Sequence, residues 1–204
     1  RGTLLNPVVL KVYRFACATT GEFSLDHGGT TASVLQKVTN TTNMLNAIYE
    51  RDLAIRLQLI EEEDQILYLD PATDPYTGTT VGGWLSQNPL AMQMQLGNND
   101  KYDIGHVFAR YLGGSAIGVG DLNSCCTDFK GRGCSAGNTP YGNPFFSVVG
   151  QEIGHQWNGL HTWNHCDATT EPFPNYERCE PGSGSTIMSY AGTCGNDNVQ
   201  GNSD

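Results

Sequence analysis

Residues 151–161 constrain the fold more than any other part of this 204-residue chain, and they read Gln-Glu-Ile-Gly-His-Gln-Trp-Asn-Gly-Leu-His. Across this region an apolar residue recurs every three or four positions, which predicts a helix with one buried face. On such a helix Gln151, Glu152 and His155 lie on the opposite, polar side. The apolar positions are Phe146, Val149, Ile153 and Trp157.

The predicted helix also has recognisable ends. Asn143 and Pro144 form a start signal, because asparagine caps a helix N-terminus and proline fits its first turn. At the other end, residues 158–159 read Asn-Gly and tolerate a left-handed turn. We therefore expect the chain to double back after the helix and to bring His161 toward His155.

The polar side of this helix carries donors suited to a metal. A catalytic zinc ion takes three N, O or S donors from the protein and leaves a further position for water. A carboxylate beside it can take a proton from the water as that water attacks a carbonyl group. The candidate ligands are His155, His161 and Gln151, and the candidate base is Glu152. The alternative interpretation is an ordinary amphipathic helix with solvated histidines.

A second motif occupies residues 182–190 and reads Gly-Ser-Gly-Ser-Thr-Ile-Met-Ser-Tyr. It resembles the Met-turn of the metzincin clan of zinc peptidases, in which a methionine forms a hydrophobic floor under the metal. The resemblance implies that role for Met188. It also implies that Tyr190 touches the metal or stabilises an oxyanion. Burial in a core would equally account for the methionine, and packing alone would account for the tyrosine.

The resemblance extends along the whole chain. Six further segments are similar, in the same order, to reprolysin-like (adamalysin-related) metallopeptidase domains of secreted bacterial proteins. This implies one catalytic domain over residues 1–204 with an α/β (α+β) metzincin-like zincin fold. Such a fold has a twisted mixed sheet, long helices packed on it, an active-site helix and a Met-turn. The six segments are residues 13–16, 20–23, 46–56, 72–77, 102–108 and 180–188.

The same resemblance implies a function. Zn²⁺ is the expected cofactor, a protein or peptide is the expected substrate, and the expected reaction is Glu-assisted attack of metal-bound water on a peptide bond. In this chain Glu152 is the expected catalytic base, with Tyr190 as a second catalytic residue. The expected metal ligands are Gln151, His155 and His161.

Gln151 is a departure from the family, which has its first ligand histidine at this position. An amide oxygen is a weaker zinc donor than imidazole. Losing a residue that only supports a ligand costs about 10–100-fold in affinity or activity, so a changed ligand should cost at least as much. Three outcomes stay open: a weakened but working site, a catalytically dead pseudoprotease that binds proteins, and an inactivation that prevents self-cleavage.

His165 is another candidate donor, although an exposed loop histidine is the favoured interpretation; His106 and His27 are interpreted as structural.

Charge and hydropathy exclude several classes of partner. The formal net charge is −10, from 21 acidic and 11 basic residues, which argues against nucleic acid and anionic membrane surfaces. The sequence contains neither a stretch of membrane-spanning length nor a signal peptide. We therefore expect a mature domain cut from a longer precursor, ending soon after the Met-turn, where metzincins usually add a helix. The acidic run at residues 61–64 is interpreted as a solvated turn, with calcium as an alternative that no loop motif supports.

Seven cysteines indicate an oxidising, extracellular location. Their spacing lacks the paired pattern of a structural zinc site. The sequence favours one disulfide between the cysteines of residues 166–194, across the Met-turn, and a local one within residues 125–134. An odd total leaves at least one thiol free or paired outside the chain.

The remaining patterns predict the order of elements. Residues 8–17 and the alternating run 53–59 are predicted strands, and a long helix between them is predicted to open with a capping box of Ser33 and Gln36. Residues 66–69 and 102–109 are further predicted strands, so that this order suits a mixed sheet with helices packed on it. The glycine pairs at 113–114 and 118–120 are interpreted as flexible loop.

Overall fold

A mixed sheet forms the centre of the molecule. The computed structural model describes residues 8–114, 116–137, 144–166 and 178–203. The five strands lie in the order β2-β1-β3-β5-β4, in which β4 is antiparallel to β5 and every other neighbouring pair is parallel. This arrangement confirms the predicted fold class. The strands are β1 (Lys11–Thr19), β2 (Ile55–Leu59), β3 (Ile104–Arg110), β4 (Gly118–Gly120) and β5 (Gly133–Gly137).

Helices cover both faces of the sheet. Because side chains alternate along a strand, Phe15 and Cys17 of β1 enter one hydrophobic core, while Ala16 and Ala18 enter another. The first core also contains apolar residues of α2 and α4, and the second contains those of α3. The helices are α1 (Gly21–Asp26), α2 (Thr31–Leu53), α3 (Val81–Leu96) and α4 (Phe145–Gln156).

Several predicted boundaries were wrong for local reasons. The capping box of α2 is formed by Thr30 and Ser33, not by Ser33 and Gln36, because Thr30 is extended and accepts the Ser33 amide. Residues 66–69 do not form a strand: a 3₁₀ turn covers Glu63–Ile66, and Leu67 makes one isolated bridge to β1. Helix α4 begins at Phe145, and Asn143, its predicted cap, lies outside the described residues.

One of the two predicted disulfides is present. Cys166 and Cys194 form a bridge that encloses the Met-turn, which confirms the prediction for that region. The predicted local bridge within residues 125–134 is not formed in this structure. Cys134 lies inside β5 and is fully buried, whereas Cys125 and Cys126 belong to a loop, and all three are free thiols.

The acidic run at residues 61–64 gives no support to a calcium site. Glu62 forms an ion pair with Lys101 at 2.7 Å. Glu63 points inward and accepts a hydrogen bond from the Cys17 amide at 3.0 Å, so the interpretation as a purely solvated turn was also wrong for this residue. The two carboxylates therefore have separate partners.

One carboxylate, Glu180, joins the chain after α4 to the Met-turn. It accepts hydrogen bonds from the hydroxyls of Thr162 and Thr186 and from the amides of Ser185 at 2.6 Å and Thr186 at 3.1 Å. Burial alone would raise the pKa of Glu180, but these hydrogen bonds outweigh it and lower the pKa to about 2. Thr162 also donates its amide to the Met188 carbonyl at 3.2 Å, so Glu180 fixes the segment that carries His161.

We predict that Glu180→Gln lowers the free energy of unfolding by about 1–2 kcal/mol at pH 7, because hydrogen bonds to a charged acceptor are lost. The folded pKa lies below the unfolded value, so the stabilisation is complete above the unfolded pKa, about 4.3. It is lost as the pH falls toward about 2. Urea unfolding of both proteins between pH 7 and pH 2.5 measures the difference.

Glu61→Gln is the matched control for this experiment, because Glu61 is an exposed carboxylate in the turn after β2. It should change stability little at any pH. A stability difference between wild type and Glu180→Gln that stays constant down to pH 2.5 would contradict the role assigned to the Glu180 charge.

Candidate active site

The face of helix α4 opposite the cleft packs against the core and α2. Val149 and Ile153 are fully buried in the core, and the Tyr49 hydroxyl of α2 donates to the Gly150 carbonyl at 2.6 Å. The apolar stripe predicted for this helix therefore faces the core. Gln151, Glu152 and His155 consequently line an open cleft of about 430 Å³ on the other side.

The end of α4 is fixed by a buried polar network. The Gln156 side chain is fully buried; its carbonyl accepts from His106 Nδ1 at 3.1 Å, and its amide donates to the Gly105 carbonyl at 3.1 Å. Ser135 donates to the other ring nitrogen of His106 at 2.9 Å. Burial lowers the pKa of His106 to about 4, although its hydrogen bond to the Gln156 carbonyl opposes the shift. His106 is therefore a neutral structural residue.

The turn after α4 brings the two histidines together. Asn158 has φ 71°, and the Gly159 amide returns to the Gly154 carbonyl at 2.8 Å, as expected for the predicted left-handed turn. As a result, the Nε2 atoms of His155 and His161 lie 3.1 Å apart.

Gln151 points at the same place from one turn earlier on the helix. Its side-chain amide nitrogen lies 2.9 Å from His161 Nε2. Which end of an amide faces a neighbour is assigned from the hydrogen-bond network, so rotating the group places its oxygen there instead. The structure thus brings together all three predicted ligand side chains.

The ring of His155 is oriented in the way that metal-binding histidines usually are. Its Nδ1 donates to the Gly159 carbonyl at 2.7 Å, which leaves Nε2 as a bare lone pair directed into the cleft. Burial lowers the pKa of His155. Burial, followed by the charge of His155, lowers the pKa of His161 to about 3. Both rings are therefore neutral donors near pH 7.

These residues fit a zinc ion in donor type and in spacing. Zinc bonds of about 2.0–2.1 Å in a tetrahedral array separate neighbouring donor atoms by about 3.3 Å, close to the 3.1 and 2.9 Å found here. Among the described residues, no group of three His, Cys, Asp or Glu side chains could hold a metal. The third donor of this set is the amide of Gln151.

Glu152 lies beside the ligands in an enclosed position. Its side chain is buried, and burial raises its pKa to about 8, although a hydrogen bond from the Gly120 backbone opposes the shift. A carboxyl group in this setting exchanges protons readily near neutral pH.

Two glycines that the sequence pattern did not single out allow strand β4 to pack closely against this helix. A Cβ on Gly118 would lie 2.5 Å from the Glu152 Oε1 atom, and one on Gly120 would lie 2.2 Å from the Glu152 carbonyl oxygen. Interpreting residues 118–120 as flexible loop was therefore wrong. The sequence did carry a signal for this strand: Gly118 and Gly120 are two residues apart, so that both would face the same side of a strand.

Met188 and Tyr190 approach the site from the Met-turn. A Cβ on Gly154 would lie 2.3 Å from the Met188 sulfur, so the methionine packs directly on the helix turn that carries His155. The Tyr190 ring packs edge-on against His161 with centroids 4.6 Å apart and lines the cleft. Burial, followed by the charge of Glu152, raises the pKa of Tyr190.

The two other histidines stand apart from this cluster. His165 is 66% exposed and faces Asp197 at 3.6 Å, which agrees with its interpretation as a loop histidine. His27 stacks on Phe23 and binds the Phe23 carbonyl at 2.8 Å.

Comparisons with known proteins identify the family of this chain. One solved structure, titled "Structure of a chaperone-substrate complex", matches 78% of this chain with 14% identity and a TM-score of 0.59, and the chain spans 25% of that protein's length. At this identity the likeness shows the fold alone. A search of curated proteins found no match. The sequence profile described as "Metallo-peptidase family M12B Reprolysin-like" matches residues 9–203, and the chain therefore belongs to this reprolysin-like metallopeptidase family.

Proposed function

We propose that this protein is a secreted zinc-dependent endopeptidase whose zinc site is weakened, but not abolished, by Gln151. The observation that carries the proposal is the meeting of three side chains beside the buried carboxyl group of Glu152. His161 Nε2 lies 3.1 Å from His155 Nε2 and 2.9 Å from the side-chain amide of Gln151. Membership of the metallopeptidase family supports it.

His155 and His161 would hold the zinc ion through their Nε2 atoms, and Gln151 through its amide oxygen. When bound, zinc supplies a Lewis acid that polarises a peptide carbonyl and a water molecule. The hydrogen bond from His155 Nδ1 to Gly159 keeps the ring in the correct tautomer. Met188 would form the hydrophobic floor of the site, since its sulfur packs on Gly154, the residue before His155.

Glu152 would act as general base and then as general acid. Its carboxylate takes a proton from the attacking water and passes it to the departing amine of the substrate. The Gly120 hydrogen bond holds the carboxylate in position. Tyr190, packed on His161, would donate a hydrogen bond to the oxyanion that forms from the carbonyl.

Strand β4 offers a binding surface for the substrate. It pairs with β5 on one side and lies at the edge of the sheet. Edge strands bind extended peptides through their free backbone groups. A peptide added beside Gly118 and Gly120 would pass directly over Glu152, which favours an internal peptide bond as the target.

The Cys166–Cys194 bridge supports an extracellular location, because structural disulfides persist in oxidising compartments. In the described part of the chain, no helix is both long and apolar enough to cross a membrane.

We predict that Gln151→His strengthens zinc binding by about 10–100-fold and raises kcat/KM, because imidazole replaces the weaker amide donor. Zinc titration and hydrolysis of a quenched fluorescent peptide measure the two effects.

Glu152→Gln in either background should keep zinc binding and lower kcat by about 10²–10⁴-fold.

Two results would count against the proposal. If neither folded wild type nor folded Gln151→His binds zinc, the site is not a metal site. If wild type binds peptide but neither protein hydrolyses it, the alternative of a catalytically dead, protein-binding pseudoprotease is correct.

We predict that Tyr190→Phe lowers kcat by about 10-fold or more and leaves zinc affinity unchanged, because an oxyanion donor is lost. Steady-state kinetics at saturating zinc measure this. An equal loss of zinc affinity would instead assign Tyr190 a role in supporting His161. Unchanged kcat and zinc affinity would leave it with packing alone.

We predict that Gly118→Ala abolishes most of the peptidase activity, because its Cβ would displace Glu152. The control is Gly82→Ala in the first turn of α3, where an added Cβ meets nothing within 4 Å. Peptide hydrolysis should be unchanged in the control, and its stability equal to or slightly above that of wild type. Equal activity in the two variants would show that β4 does not constrain Glu152.

A further inference from the structure

Two neighbouring thiols lie in the loop that caps the C-terminal end of the active-site helix. The sulfur atoms of Cys125 and Cys126 are 3.6 Å apart; Cys126 is exposed and Cys125 is half-buried. The two sulfurs are thus within reach of each other after a small side-chain rotation, since a disulfide requires about 2.05 Å.

The loop is bonded directly to the helix that carries the proposed zinc ligands. The Asn123 amide donates to the His155 carbonyl at 3.2 Å, and the Cys125 amide donates to the Gln156 carbonyl at 3.0 Å. The last carbonyls of a helix have no partner within it. This loop therefore caps the Gln156 carbonyl and adds a second donor to the His155 carbonyl, which also accepts from the Asn158 amide at 2.7 Å. A change in the loop can thus be transmitted to His155.

The backbone at the two cysteines is also constrained. Cys126 has φ 61°, a left-handed conformation that non-glycine residues seldom adopt, and its amide is bonded to the Asp103 carbonyl at 2.8 Å. Neighbouring Cα atoms are about 3.8 Å apart, less than the usual 4.4–6.8 Å of a disulfide. A bridge between these residues would be strained and therefore easily reduced.

We propose that Cys125 and Cys126 are a reversible thiol–disulfide site, and that closing the bridge lowers peptidase activity by shifting the cap of α4. The thiol–disulfide site stands independently, whereas its effect on peptidase activity rests on the proposed function. The oxidant is a low-molecular-weight disulfide such as oxidised glutathione, with reduced glutathione reversing the reaction.

The exchange has two balanced steps. The Cys126 thiol gives its proton to solvent, and its sulfur attacks the small disulfide, forming a mixed disulfide and releasing one thiolate. The Cys125 thiol then gives its proton to solvent, and its sulfur attacks Cys126 Sγ and displaces the second thiolate. Two electrons pass from the cysteine pair to the small disulfide. Burial raises the pKa of Cys125 to about 12, so the Cys125 thiol ionises less readily. The Cys126 thiol is exposed and therefore reacts first.

The test uses the full chain with Cys179→Ser as background, because Cys179 is another exposed free thiol. After treatment with oxidised glutathione, peptide mapping should show a Cys125–Cys126 bridge, two hydrogen atoms lost and no attached glutathione. Activity should fall by about 10-fold and return with reduced glutathione. Adding Cys126→Ser should abolish both the bridge and the loss of activity.

The outcomes separate the two parts of the proposal. Stable glutathione adducts, unmodified thiols or a bridge to Cys134 would overturn the thiol–disulfide site. A bridge that forms without changing activity would overturn the coupling to α4. A bridge that forms in a protein with no peptidase activity even when reduced would support the redox site while contradicting the proposed function.

Discussion

The left-handed turn at Asn158 is the constraint on which the site depends. A helix can present Gln151, Glu152 and His155 on one face, but His161 belongs to a different segment and must be returned to that face. The turn does this within a few residues and is closed by the Gly159 amide on Gly154. The Gly159 carbonyl then accepts the Nδ1 proton of His155. One local structure therefore sets both the position of His161 and the tautomer of His155.

The rest of the fold keeps that turn in place. Gln156 ties the end of α4 to β3 through Gly105 and His106. Glu180 joins the segment after the turn to the Met-turn, and the Met188 sulfur packs against Gly154, where a side chain could not be accommodated. Because each contact involves a buried or multiply bonded group, the two histidines are held at short range by the scaffold itself.

Features with local causes could be predicted from the sequence. The stripe of α4 and the Asn158–Gly159 turn follow from periodicity and backbone preference, and both were predicted correctly. Strand β4 was not predicted: the spacing of Gly118 and Gly120 is a weak signal by itself, and the partner strand β5 is supplied only by the folded sheet. Helix α3, with a proline in its interior, was also not predicted. The sequence spacing could not show that Cys134 is buried within β5 and unavailable to the two loop cysteines.

In the proposed site, one zinc ion is held by two imidazoles and the amide of Gln151. Zinc-edge X-ray absorption on wild-type protein loaded with one equivalent of zinc tests it directly. The expected spectrum shows two imidazoles and oxygen donors at about 2.0–2.2 Å. Sulfur scattering at about 2.3 Å would place the metal on cysteines, and a spectrum of zinc surrounded by water alone would show that the cleft does not hold it. Either result would show that His155, His161 and Gln151 do not hold the zinc ion.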